Sequence, residues 1–247
     1  MGEILLRAGL SDRLYRALNL WLNRLPGGLL HTNIASCALF SAISGSSVAT
    51  AATMGSVALP YFTGTGYSRR MVLGSLAAGG ALGNLIPPGI TFIVYGLITE
   101  TSVGALYMAA LLPGLLVTGL FVLVILAHGL ARPMERPAPV PFALKLRALA
   151  DLLPTLALML LVLGSIYAGW ATPTEAAALG AVGAAVFAAF EGRLSFRLLN
   201  ASAEATARNT ALLGLIVLAA YLLNYVLTTV NVPQTLAAFM ADLPLPP

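Results

Sequence analysis

The sequence predicts an all-α integral membrane protein organised around a re-entrant helical hairpin and a broken transmembrane helix. Three observations carry this reading. Of the 247 residues 59% are apolar and only 9% charged, and the mean hydropathy is +0.90; soluble domains carry roughly 25% charged residues. The apolar runs are rich in Leu, Ala, Val and Gly and exceed about 18 residues, the length of membrane helices rather than of barrel strands. Two small polar islands interrupt them, Ser41-Ala42-Ile43-Ser44-Gly45-Ser46-Ser47-Val48-Ala49-Thr50 and Gly79-Gly80-Ala81-Leu82-Gly83-Asn84-Leu85-Ile86-Pro87-Pro88-Gly89. In hydrocarbon an unpaired backbone N–H or C=O costs several kcal/mol, so such islands survive only where protein buries them or a site uses them.

The same composition removes other classes. A net charge of +4 could suit nucleic acid, but the Lys and Arg residues occur singly or in pairs between apolar runs and read as topology signals. Cys37 is the only cysteine and lies in an apolar stretch, which predicts a packed, inert thiol. Residues 1–10 hold Glu3 and Arg7 and no apolar core, so no cleavable signal peptide is expected.

In chain order, residues 1–27 are expected to form an interfacial arm. Leu14, Leu18, Trp21, Leu22 and Leu25 share one helical face against Arg13, Arg16 and Arg24, with Ser11 as N-cap and Pro26-Gly27-Gly28 as the stop. Residues 28–62 hold two apolar segments, each too short to cross a bilayer of about 20 residues. Arg24 precedes the pair and Arg69 and Arg70 follow it, so both flanks belong to one face of the membrane and the pair reads as a re-entrant hairpin. A broken span over 71–98 then leads to Glu100, and a span over 105–127 returns to a connector at 128–150 with Arg132, Arg136, Lys145 and Arg147. Two spans fill 152–190, a cytoplasmic interfacial helix 191–208 carries Arg193, Arg197 and Arg208, a span covers 209–230, and 231–247 is a periplasmic tail with Asp242. In this arrangement all the basic residues share the cytoplasmic side.

The islands have specific chemistry. A helix ending at Ser44 aims its last carbonyls at the tip, and one starting near Ser46 aims its first N–H groups there, so one end suits a cation and the other an anion. Pro87 and Pro88 lack N–H groups, which frees the carbonyls of Gly83 and Asn84. Broken helices of this kind hold carboxylates and Na⁺ in secondary transporters. The plainer readings are a small-residue packing face and a proline kink.

Several motifs together carry a family resemblance: Leu25-Pro26-Gly27-Gly28, Ala42-Ile43-Ser44-Gly45-Ser46-Ser47-Val48-Ala49-Thr50-Ala51-Ala52, Gly66-Tyr67, Leu85-Ile86-Pro87-Pro88, Tyr95-Gly96-Leu97-Ile98-Thr99-Glu100, Pro113-Gly114 and Thr172-Pro173-Thr174-Glu175-Ala176. In register along essentially the whole chain, the sequence resembles the large membrane subunit of TRAP transporters, the DctM/SiaM type. That resemblance implies an ion-transporter-superfamily fold of inverted repeats, and a sodium-coupled elevator importing organic acids such as C4-dicarboxylates or sialic acid. It implies as partners a periplasmic substrate-binding protein, a small membrane subunit and the bilayer of the bacterial inner membrane, with Na⁺ as coupling ion and no other metal or cofactor.

Carried over by position, the sodium-binding residues would be Ser44, Gly45, Ser46, Gly80, Gly83 and Asn84, and the substrate-binding residues Ser46, Ser47, Thr50, Asn84 and Pro88. Gly89 stands where many relatives have Ser. Family members are much longer than this chain, and after Thr210 there is no second Gly-Ser-rich island and no Pro-Pro pair short of the last two residues, so a fragment incomplete at both ends, or a split subunit, is an alternative reading. A passive channel and an intramembrane enzyme with Ser46 or Ser47 as nucleophile are the others, and the enzyme lacks a neighbouring base.

The remaining candidates read as structure. Thr172, Pro173 and Glu175 spell a capping box, and His31 and His128 have no metal spacing. Asn200-Ala201-Ser202 matches a glycosylation sequon by chance in a cytoplasmic loop, Gly79 and Gly83 make a small-residue packing pair, and the Pro-rich run at 132–141 is a stiff connector.

Overall fold

The computed structural model describes residues 1–131 and 140–235. They form helices α1 (Gly2–Arg7), α2 (Leu10–Leu22), α3 (Leu29–Ser44), α4 (Ser47–Ala58), α5 (Arg69–Ala81), α6 (Ile90–Thr99), α7 (Val103–Ala131), α8 (Phe142–Tyr167), α9 (Pro173–Phe190) and α10 (Phe196–Thr229), with no strand among the described residues. Of these, α7 to α10 are long and apolar enough to cross a membrane. The chain divides into two compact units, Met1–Leu198 and Leu199–Pro247. In the second, the described residues are the apolar body of α10 and the turn that ends it.

The first unit is built on the hairpin of α3 and α4. At about 1.5 Å per residue these helices are about 24 and 18 Å long, too short to cross the bilayer's hydrocarbon core of about 30 Å. The chain leaves the hairpin where it entered: the Leu29 N–H donates to the Tyr67 hydroxyl at 3.2 Å, and Tyr67 meets Phe62 edge-on at 5.2 Å. The entry and exit ends are therefore neighbours, and the pair is re-entrant in shape. The following span is broken as the proline pair requires, with α5 ending at Ala81, a short 3-10 turn over Leu82–Asn84, and α6 restarting at Ile90.

The end of the unit that holds the hairpin entry also gathers Arg13 and Arg193. Arg13 makes a two-pronged ion pair with Glu191, with Nη1 2.7 Å from Oε1, and Arg193 Nη1 donates to the Ala8 carbonyl at 3.1 Å. A Cβ on Gly129, near the end of α7, would lie 2.7 Å from the Pro26 carbonyl oxygen. At the opposite end the Tyr167 hydroxyl donates to the Tyr107 carbonyl at 3.3 Å, and the Thr172 capping box starts α9, with the Thr172 N–H donating to Glu175 Oε2 at 2.8 Å.

Several boundaries differ from the sequence reading for identifiable reasons. The arm is two helices, because Gly9 adopts a left-handed φ of 77° and starts α2 itself; Ser11 is buried inside α2 and caps nothing. Most of the apolar face of α2 is covered by protein rather than left for lipid: Leu14, Tyr15 and Leu18 join Ile34, Leu76 and Leu152 in one core, while Trp21 near its end stays exposed. The connector is shorter, since α7 runs to Ala131 and Pro141 starts α8 with no helix breaker behind it until Pro154. The interfacial helix and last span expected at 191–208 and 209–230 are a single α10, because residues 196–213 contain neither Gly nor Pro. The connector positions Arg132 and Arg136, and the tail position Asp242, lie outside the described residues.

Cohesion inside a bilayer comes from close packing and polar bonds more than from apolar burial. One such bond set joins three helices: the Tyr15 hydroxyl donates to Asn33 Oδ1 at 2.8 Å, Asn33 Nδ2 donates to Ser75 Oγ at 2.8 Å, and the Ser75 hydroxyl donates to the Val72 carbonyl at 2.9 Å. Asn33 is fully buried, so Asn33→Leu strands the Tyr15 donor and removes the α3–α5 tie. We expect it to cost about 1–3 kcal/mol, read as a lower denaturant midpoint of the chain in detergent; a midpoint equal to that of the native chain would show the network to be idle.

Candidate functional site

The hairpin tip and the broken helix lie against each other. Gly45 ends α3 with a left-handed φ of 63°, its N–H donating to the Ser41 carbonyl at 2.9 Å. Its carbonyl accepts the Ile90 N–H, the first donor of α6, at 3.0 Å. Ser46 then caps α4, its hydroxyl accepting the Ala49 N–H at 3.3 Å. The two arms of the tip are bound together by the hydroxyls of Ser44 and Thr50, 2.8 Å apart.

Glycine makes the contact possible. A Cβ on Gly83 would lie 2.6 Å from the Ser47 nitrogen, one on Gly80 2.6 Å from Ala51 Cβ, and one on Gly79 2.7 Å from Cys37 Cβ. Three glycines of α5 and its 3-10 extension thus press the broken helix along the hairpin, and Cys37 is packed and buried as the sequence suggested. From the other side Gly114 of α7 admits the Leu85 carbonyl, 3.1 Å from where its Cβ would stand.

The polar groups at this junction divide into spent and unspent. No described hydrogen bond reaches the carbonyls of Ala42, Ile43 and Ser44 at the end of α3. The carbonyls of Gly83 and Asn84 are likewise free of backbone donors, because the Ile86 N–H turns back to Leu82 at 2.8 Å and prolines occupy the next two positions. On the donor side the N–H groups of Ser47 and Val48 open α4 without a described acceptor. Oxygens with partial negative charge and nitrogens with partial positive charge therefore converge on one junction.

The structure accordingly brings together the residues singled out in the sequence, with differences in their availability. Ser44, Ser46 and Ser47 are half-buried at the tip, Gly45, Gly80 and Gly83 are buried, and Asn84 is exposed, its Oδ1 accepting the Thr91 hydroxyl at 3.4 Å. Pro88 is half-buried, with its carbonyl directly against Gly45. Thr50, expected to face substrate, is fully buried with its hydroxyl bonded to Ser44. Gly89 is the N-cap of α6 and offers no side-chain cap. Three partners escaped the sequence reading: the Ile90 N–H, the Thr91 hydroxyl and Gly114. The small residue after Pro113 was the one available signal for the last of these.

Nucleophilic catalysis finds no support at the tip. His31 Nε2 is 2.8 Å from the Pro26 carbonyl oxygen at the far end of α3, and 13 residues of helix from Ser44 is about 20 Å. Among the described residues no group of three His, Cys, Asp or Glu side chains could hold a metal ion.

Close approach at Gly83 can be tested against Gly74, a glycine of the preceding helix α5. Gly83→Ala pushes a methyl into the Ser46–Ser47 peptide and is expected to cost about 1–3 kcal/mol. Gly74→Ala meets nothing within 4 Å and is expected to be neutral or to gain up to about 1 kcal/mol. Unfolding midpoints of the two variants in one detergent check the ordering; equal effects would mean that the tip does not rest on Gly83.

Comparison with known proteins agrees with this architecture. A family model described as the tripartite ATP-independent periplasmic transporter, DctM component, matches residues 1–247. The C4-dicarboxylate TRAP transporter large permease protein DctM of Pseudomonas aeruginosa is 38% identical over 253 residues, which cover 100% of this chain and 58% of that protein. Its namesake in Rhodobacter capsulatus is 33% identical over 258 residues, 98% of this chain and 58% of that protein. The sialic acid TRAP transporter large permease protein SiaM of Vibrio cholerae is 27% identical over 255 residues, 99% of this chain and 58% of its own. The chain thus spans 58% of the length of each of these relatives. With the family model matched from the first residue to the last, this chain belongs to the DctM family, the membrane permease component of tripartite ATP-independent periplasmic transporters.

Proposed function

We propose that this chain forms part of the large permease subunit of a sodium-coupled importer of organic acids, working by an elevator movement in the bacterial inner membrane. A periplasmic substrate-binding protein would deliver the solute and a small membrane subunit would complete the permease. The family is one of transporter permeases, not of enzymes. The observation that carries the proposal is the junction of the hairpin tip with the broken helix, where the free carbonyls of Ser44, Gly83 and Asn84 suit Na⁺ and the N–H groups of Ser47 and Val48 suit a carboxylate.

Relatives supply the substrate class. The matched proteins are named for C4-dicarboxylates, sialic acid, isethionate and ectoine, all of which present an anionic group. Paired N–H groups at a helix start recognise that group without depending on the rest of the solute. A C4-dicarboxylate or sialic-acid-like acid is therefore the solute we propose.

Charge fixes the proposed sidedness. The basic flanks of the hairpin, together with Arg13 and Arg193, would face the cytoplasm. A cysteine placed at Gly64, which is exposed at the base of the hairpin, is expected to react with membrane-impermeant maleimide in inside-out vesicles and not in intact cells. Labelling of intact cells after removal of the outer membrane would reverse the topology.

Transport itself is tested in a complete permease that carries this segment, reconstituted with its small subunit and binding protein. Ser46→Ala with Ser47→Ala is expected to raise the sodium concentration for half-maximal uptake by about tenfold, which corresponds to about 1.4 kcal/mol of lost ion binding. Unchanged sodium activation would remove the Ser46 and Ser47 hydroxyls from the ion site, and uptake with no sodium dependence at all would favour a passive channel.

A further inference from the structure

At the arm end of the first unit, a cluster outside the tip joins α2 to the start of α8. The Trp21 indole N–H donates to the Lys145 carbonyl at 3.1 Å, Phe142 meets the Trp21 ring edge-on with centroids 6.4 Å apart, and Lys145 Nζ stands 5.7 Å from the centroid of the same ring. Trp21 and Phe142 are exposed nonetheless. The ammonium is held at one place on the surface by the ring beneath it, within the range of a cation–π contact.

Two features show what this surface lacks. Its ammonium has no anionic partner among the described residues: the ion pairs there are Arg7–Glu3 and Arg13–Glu191, so no described carboxylate lies within 4.0 Å of Lys145. Asp151, the carboxylate of α8 itself, is six residues beyond Lys145, about 9 Å along the helix axis. Its apolar face also has no cover among the described residues. Phe142, Leu146, Leu149, Leu153 and Leu160 recur at spacings of three, four and seven along α8, which places them in one stripe, and all five are exposed.

We propose that this cluster is a binding site for an anionic phospholipid, with the phosphate at Lys145 beside the Trp21 ring and the acyl chains along the Phe142–Leu160 stripe of α8. A fixed ammonium is a point-charge phosphate ligand. Tryptophan belongs at headgroup depth, where its ring is apolar and its N–H finds a partner. Basic residues beside a membrane span draw anionic lipids. A soluble phosphate would leave the stripe uncovered, and a zwitterionic lipid would leave the ammonium uncompensated.

The sequence has two tryptophans, so Trp170→Phe leaves Trp21 as the single reporter. The full chain with that change is placed in phosphatidylcholine vesicles containing a minor fraction of brominated phosphatidylglycerol, and Trp21 quenching is compared with that in vesicles carrying brominated phosphatidylcholine at the same fraction. Quenching is expected to report about fivefold stronger association of the anionic lipid. Lys145→Gln is expected to remove that preference, and Lys145→Arg to keep it. Arg197→Gln, a basic residue outside the cluster, serves as the folding and charge control and is expected to keep it as well. Equal quenching by the two lipids, a preference that survives Lys145→Gln, or relief of quenching by soluble glycerol phosphate would overturn the proposal. So would quenching that disappears when a purified acidic partner segment occupies Trp21.

Discussion

One requirement governs the first unit: main chain that leaves the helix inside hydrocarbon must find its hydrogen bonds within the protein. The bond from the Ile90 N–H to the Gly45 carbonyl meets that requirement for one group of each break. It joins the end of one helix to the beginning of another across two separate segments of chain. Neither break is tolerable alone, and their apposition dictates the small residues around them. Gly45 must turn left-handed, and Gly79, Gly80 and Gly83 must let two backbones meet. The Gly and Ser residues at these positions of this chain follow from geometry before any ligand is considered.

The hairpin is secured differently at its base and at its tip. Its base is tied by side chains from three other segments, through Tyr67 to Leu29, Tyr15 to Asn33 and Asn33 to Ser75. Its tip depends on short local bonds, between the Ser44 and Thr50 hydroxyls and from Ala49 to Ser46, and on one bond to α6. A ligand arriving at the tip therefore competes with few and local interactions, while the base keeps its register. That division would suit the binding and release we propose for the tip.

Much of this was legible in the residues, and the failures have physical causes. The hairpin could be read because polar islands are costly in lipid and because Arg24, Arg69 and Arg70 mark one face. The capping box at Thr172 could be read because it is wholly local, and the structure forms it. The arm's first helix was missed because a left-handed Gly9 is as good a helix start as the Ser11 two residues later. The continuity of α10 was missed because Arg197 and Arg208 suggested a surface helix, whereas charge by itself does not break a helix. Asn33 was passed over entirely, since a single amide in an apolar run advertises that it needs a partner without naming Tyr15 or Ser75.

The count of unspent groups at the junction also bears on what the proposed site can hold. Gly45 and Thr50, both expected to serve a ligand, are committed to Ile90 and Ser44. What remains on the oxygen side is the end of α3 and the carbonyls of Gly83 and Asn84, which approach the junction from two directions. On the nitrogen side there are only the first N–H groups of α4. A dehydrated sodium ion is a hard cation that needs several oxygens around it, and backbone carbonyls from two broken helices can provide them without any buried carboxylate. A carboxylate on two N–H groups is held far less completely. In the site we propose, the cation would accordingly depend on the backbone seen here, while the acid would draw further contacts from polar groups beyond this junction.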